Sequence, residues 1–138
     1  MIVVCDTGAL LALLDGDERQ HAALLRLYRA HRAGWVLPAA ILPEVDYLVA
    51  AHLGGRAQDA WLADLAHGAV SVDWGGDEDL ARAGALHRQY RDLQMGLVDA
   101  LVLACAERLG AGAIATLDLG HFGSVRLAGA PRLLPRDG

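Results

Sequence analysis

Apolar positions along the chain fall into two spacings that alternate from one end to the other. Ile2 to Cys5, Trp35 to Leu37, Val70 to Val72 and Ala113 to Thr116 are short continuous runs, the pattern of strands buried on both faces. Arg132 to Leu134 adds a candidate fifth. Between these runs the period lengthens to that of a helix. Leu10, Leu11, Leu13 and Leu14 mark a helix over Thr7 to Leu14 that Asp6 can cap. Ala23, Leu24, Leu27 and Tyr28 mark another over Asp17 to Arg32, whose outer face carries Arg19, Arg26, Arg29 and Arg32. Pro43 stands where a helix start tolerates proline, Val45, Leu48, Val49 and Leu53 form the stripe that follows, and Gly54 and Gly55 stop it. Trp61, Leu62 and Leu65 place a helix over Arg56 to His67. Asp77, Glu78 and Asp79 open the next, Asp77 to Tyr90, at its positive end. Leu117 to His121 reads as a loop. Strands alternating with helices predict an α/β protein with a parallel sheet of four or five strands and helices on both faces. No repeat, low-complexity tract or linker interrupts the 138 residues, which predicts one domain over residues 1–138.

The remaining helix, Gly96 to Gly110, sets a single acid near the start of an otherwise apolar stretch. Leu97, Leu101 and Cys105 recur at four-residue spacing, and Val98, Val102 and Leu109 widen the stripe, so this helix packs over a broad face. Asp99 stands in its first turn. The helix dipole favours a carboxylate there, and a surface or capping acid is one reading. A carboxylate at the edge of a core, in want of a cation, is the other.

No apolar run approaches the roughly 18 residues of a membrane helix. The opening stretch MIVVCDTGALLALLD lacks a basic leader and is broken by Asp6, so a cytoplasmic protein is expected. Cys5 and Cys105 lie in apolar segments, as buried, reduced thiols do. All 12 basic residues are arginine. The absence of lysine excludes a Walker-type phosphate lysine, a Schiff base and a receiver-type lysine beside a phosphorylated aspartate. The net charge of −5 argues against a nucleic-acid partner only until cations are counted. Divalent ions held by clustered acids offset most of that charge and leave arginine patches to act locally.

Functional groups in open parallel sheets gather beyond the C-terminal ends of the strands. Asp6 follows the first strand, Glu44 opens the helix after the second, Asp99 opens the helix before the fourth, and Asp118 lies just past the fourth. Thr116, two residues before Asp118, faces the same way in an extended chain, and Thr7 offers a hydroxyl beside Asp6. Taken singly, Asp6 is also a helix cap, Glu44 a first-turn acid and Asp118 a turn residue. Their shared edge is what points to a site. Carboxylates brought together repel and raise one another's pKa unless cations neutralise them. Hard oxygen donors select Mg2+ or Mn2+ over zinc, and the histidines show no ligand-like spacing, so His121 reads as a loop or surface residue. A carboxylate site of this kind suits phosphodiester hydrolysis without a covalent nucleophile. Asp92, in the loop before the central helix, is a weaker candidate, and Trp35, Trp61 and Trp74 read as packing residues.

The stretches VVCDTGALLALLD, LPEVDYLV, YRDLQMGLVDALVLACAERLG and IATLDLGHF resemble the four acidic motifs of PIN-domain proteins, and most closely the VapC toxins of bacterial toxin-antitoxin pairs. The resemblance runs from Ile2 to Leu134. It implies a three-layer α/β/α sandwich and an Mg2+-dependent endoribonuclease that cleaves transfer or ribosomal RNA. By position, Asp6, Glu44, Asp99 and Asp118 match the family's acids, with Asp6 and Asp99 the firmest metal ligands, and Thr116 matches a polar residue that helps arrange the site. The resemblance further implies a homodimer and a cognate antitoxin whose arginine-bearing C-terminal segment blocks the active-site groove. Pro43, directly before Glu44, departs from the usual pattern. The arginines of Asp17 to Arg32 and of His121 to Arg136 can pair with RNA phosphates, or form a solvated face.

Two alternatives stay open on the sequence: a housekeeping PIN nuclease in RNA processing, and a non-catalytic module whose acidic groove binds a partner's arginines. A phosphatase or receiver chemistry does not fit, because Gly8 stands where the second acid belongs and lysine is absent.

Overall fold

The computed structural model describes residues 1–138. β1 (Val3–Cys5) is buried along its whole length and forms the middle of a sheet with β2 (Trp35–Pro38), β3 (Ser71–Asp73), β4 (Ala113–Ala115) and β5 (Arg132–Leu134). The sheet has five strands in the order β3-β2-β1-β4-β5, all parallel. Such a central strand has no solvent face, which is why Val3, Val4 and Cys5 form a continuous apolar run instead of alternating.

Helices α1 (Thr7–Leu14) and α2 (His21–Ala30) link β1 to β2, and α3 (Leu42–Leu53) and α4 (Gly55–Ala66) link β2 to β3. The chain then crosses back through α5 (Asp77–Gln89) and α6 (Leu97–Arg108) to β4, and a short α7 (Leu119–Phe122) leads to β5. Parallel crossovers are right-handed, so reversing the direction of travel moves α5 and α6 to the opposite face from α1 to α4. The packing agrees: α1 touches α2 and α3, α3 touches α4, and α5 packs along α6, which lies over β1 and β2. The direction changes between β1 and β4, and there the chain segments leaving the C-terminal ends of the two strands part to opposite sides, the switch point of the sheet.

Leu10, Leu24, Leu37, Ile41, Leu86, Leu103 and Ile114 fill the core around the sheet. Cys5 and Cys105 are buried free thiols. Burial pushes the Cys105 thiol up to about 12, with the neighbouring Asp73 carboxylate adding to the effect, so it stays protonated. Gly54 ends α3 at φ +91°, the backbone region that glycine occupies without strain. No helix is long and apolar enough to cross a membrane.

Several elements differ from the sequence expectation for identifiable reasons. α2 begins at His21, not Asp17, because the acids ahead of it take the backbone N–H groups a helix would use. Asp15 accepts from the Asp17 N–H at 3.0 Å, and Glu18 accepts from the Gln20 N–H. Within Leu117 to His121, expected as a loop, Asp118 caps the single turn of α7. Trp35 and Trp61 are buried as expected, with Trp35 edge-on to Tyr28 at 5.4 Å between centroids, but Trp74 is 78% exposed and packs against no core. Arg108 of α6 grips the buried Asp79 of α5 through Nε at 2.8 Å and Nη2 at 3.0 Å, and also bonds Asp73 of β3. A charge buried as deeply as Asp79 persists only when paired, and this pairing ties α5, α6 and the sheet edge together.

Candidate active site

Asp6 emerges from β1 in extended conformation and caps α1, its Oδ1 accepting the Ala9 N–H at 2.8 Å. Its other oxygen, Oδ2, accepts the hydroxyl of Thr116. The two readings of Asp6, helix cap and site carboxylate, therefore use different oxygens of one group. Thr116 stands one residue past β4, with its backbone N–H donating to the Leu134 carbonyl at 2.9 Å. Its Oγ1 accepts the Asp118 N–H at 2.9 Å, which turns the chain sharply instead of leaving it extended. Asp118 in turn accepts the His121 N–H at 3.0 Å and so caps α7.

That single turn carries His121 back over its own cap and against α6. His121 Nδ1 is hydrogen-bonded to Asp99 Oδ2 at 2.7 Å and lies 3.1 Å from Asp118 Oδ2, so one ring nitrogen stands between two carboxylates from different elements. Asp99, Asp118 and His121 each offer a ligand atom, and these atoms lie within 4.8 Å of one another. Beside them Asp6 is only 5% exposed. Burial raises its carboxyl to about 6; the Thr116 and Ala9 hydrogen bonds oppose the rise, and the charges of Asp99 and Asp118 add to it. None of the arginine ion pairs of the molecule involves these three acids. They are a cluster of negative charge with an imidazole beside it, and a donor set of carboxylate oxygens with one histidine fits a hard divalent ion.

Of the acids anticipated at this edge, the structure brings Asp99 and Asp118 together at His121, and sets Asp6 beside them, outside that group but within reach of their charges, with Thr116 joining Asp6 to the Asp118 backbone. Glu44 lies in the first turn of α3, exposed and without a side-chain hydrogen bond. Asp92 is exposed in a 3-10 turn, apart from these contacts. Thr7 Oγ1, one residue after Asp6, is shielded from solvent with no protein partner. His121 is the residue that sequence spacing missed. Its one local signal is the three-residue step from Asp118, the spacing at which a capping acid and a side chain of the same turn meet.

The sequence model of the PIN domain matches residues 3–126. Ribonuclease VapC26 of Mycobacterium tuberculosis is 34% identical over 130 residues, which span 94% of this chain and 96% of the relative. The chain belongs to the VapC family of PIN-domain proteins. Among solved structures, the fold is similar to that of M. tuberculosis VapC20, a sarcin-ricin loop cleaving toxin, at a TM-score of 0.73 and 20% identity over 81% of this chain and 86% of that one. It is similar also to the DNA-bound VapBC of Salmonella typhimurium, at 0.73 and 12% identity over 96% of each chain. PIN nucleases are metal-dependent, and in this VapC chain the acidic cluster lies at the switch point of the sheet, where the two halves of a doubly wound fold leave room for a ligand.

Proposed function

We propose that this VapC chain is a metal-dependent endoribonuclease, the toxin of a toxin-antitoxin pair, which hydrolyses phosphodiester bonds of transfer or ribosomal RNA. The observation that carries the reading is the meeting of Asp99 and Asp118 at His121, past the strand ends at the switch point of the sheet, with the buried Asp6 carboxylate near enough to feel both charges and no arginine paired to any of the three. Mg2+, with Mn2+ as a substitute, is the ion this donor set selects, held by Asp6, Asp99 and Asp118 with Glu44 as the fourth acid of the set. When bound, such an ion supplies charge neutralisation at the phosphate and a more acidic water.

The chain's own groups do the positioning. Ala9 N–H and the Thr116 hydroxyl fix both oxygens of Asp6, so its carboxylate meets a ligand without reorganising. Thr116 also holds the Asp118 backbone and thereby the direction of its side chain. His121 bonds Asp99 and lies against Asp118, and so holds the two acids in place. The same acids suit the arginine-bearing C-terminal segment of a cognate antitoxin, and a homodimer and a cytoplasmic setting complete the reading, the latter supported by two buried free thiols.

The test is cleavage of a mixed transfer and ribosomal RNA preparation by partner-free protein, with Mg2+ or Mn2+ and with EDTA, alongside Asp99→Asn. Discrete products that need the metal and vanish in the variant are expected. Equal cleavage by Asp99→Asn, or cleavage in EDTA, overturns the assignment.

A further inference from the structure

Two arginines from opposite ends of the chain line one cleft, and Thr116, whose hydroxyl holds Asp6, is also among its lining residues. We propose that this cleft is the track on which the RNA strand leaves the carboxylates, and that Arg19 and Arg136 position its phosphates. The inference rests on the nuclease reading above and names where the substrate runs.

The cleft measures about 640 Å³, and Arg19, Thr116, Leu117, Leu119, Pro135 and Arg136 are among its lining residues. Thr116 is the residue whose hydroxyl donates to Asp6, so the cleft reaches the carboxylate cluster through this one residue. Arg19 sits in the turn that replaces the expected first turn of α2, exposed and without an ion pair. The acid beside it, Glu18, also lines the cleft and turns one oxygen to the Gln20 N–H. Across the cleft, Arg136 holds the carboxylate of Asp137 with its fork, Nε at 2.6 Å and Nη2 at 3.0 Å. Two parallel N–H donors on two oxygens is also the way a guanidinium takes a phosphate, and Asp137 occupies that fork from a position exposed to solvent. Two other arginines are committed to ion pairs, Arg82 to Glu107 and Arg108 to Asp73 and Asp79. Leu117, Leu119 and Pro135 give the cleft an apolar wall but no aromatic face on which a base could stack, so the contacts fit a backbone and carry no sequence preference.

The experiment uses the full chain in EDTA, where turnover is absent, and a fluorescein-labelled single-stranded RNA oligonucleotide of mixed sequence, read by anisotropy over a range of salt. Arg19→Gln and Arg136→Gln are each expected to weaken binding about three- to tenfold and to lower the salt slope by about 0.7, the share of one single-strand phosphate. Arg136→Lys keeps the charge and recovers part of the loss. Asp137→Asn frees the fork while its amide oxygen still accepts the Leu133 N–H, which Asp137 now takes at 2.8 Å, so it binds the RNA two- to threefold more tightly. With Mg2+, both glutamine variants raise KM and leave kcat near the wild-type value, and Arg56→Gln, at the start of α4, changes nothing. If the wild type binds and cleaves RNA and the cleft variants match it, the cleft proposal falls and the nuclease reading stands. A wild type that neither binds nor cleaves RNA overturns both. Loss of binding confined to a poly-glutamate peptide gives the cleft to an acidic polypeptide and overturns the proposal.

Discussion

Asp6→Asn is expected to make the metal-free protein more stable at neutral pH, the opposite of what most substitutions of a buried, hydrogen-bonded residue do. The folded state holds the Asp6 carboxyl at about 6, against about 3.9 in an unfolded chain. Between those values the folded state binds more protons, so stability falls as pH rises from about 4 to 6 and stays low above. A difference of about two pKa units corresponds to about 3 kcal/mol at pH 7.5, and deep burial leaves little solvent screening to reduce it. Asparagine keeps the oxygen that accepts the Ala9 N–H and can donate to Thr116 Oγ1 from its amide, so most of the local geometry survives. Allowing for an imperfect bond to Thr116, the gain is about 1–3 kcal/mol. At about 2.1 cal/mol/K per residue this amounts to a rise in Tm of about 3–10 °C. Thermal melts of both proteins in EDTA from pH 4 to 7.5 measure it, and the advantage should shrink to under about 1 kcal/mol near pH 4. Mg2+ should narrow or reverse the difference at pH 7.5, because only the wild type retains the full carboxylate set. An Asp6→Asn protein no more stable than wild type at pH 7.5 in EDTA, or an advantage that does not change with pH, refutes the reasoning.

Three further outcomes are expected. Thr116→Val keeps the shape but removes the donor to Asp6 and the acceptor of the Asp118 N–H, and should cost about 1–2 kcal/mol in urea unfolding and lower kcat at least about tenfold. His121→Ala removes the bridge between Asp99 and Asp118; its melting temperature should fall in EDTA and recover in Mg2+, and a melt unchanged in EDTA refutes the bridging role. Arg108→Met strands the buried Asp79 without a partner and should cost about 3 kcal/mol in urea unfolding.

Much of this was legible in the chain because β1, Asp6 and α1 follow one another without a break. A buried apolar run, a capping acid and a leucine-rich helix specify both the central strand and where its carboxylate stands. Asp99 was legible for a related reason, as a lone acid near the start of an apolar helix. What periodicity does not carry is the meeting of side chains from separate elements. His121 approaches Asp99 because Asp118 caps α7 and swings the ring toward α6, a consequence of one turn's geometry. The grip of Arg108 on Asp79 and Asp73 spans three elements and leaves no local pattern. Glu44 has the position of a site acid in the chain, yet nothing local determines where an exposed first-turn side chain settles. The late start of α2 was in reach of the sequence, since Asp15 and Glu18 are residues whose side chains compete for backbone N–H groups.

The central claim is that Asp6, Asp99 and Asp118 hold the catalytic ion. A crystal of the wild-type chain grown with Mn2+ tests it most directly through the anomalous scattering of the metal. A peak among those three carboxylates, lost in Asp99→Asn, is expected. A peak at another cluster, or none at a saturating concentration, contradicts it.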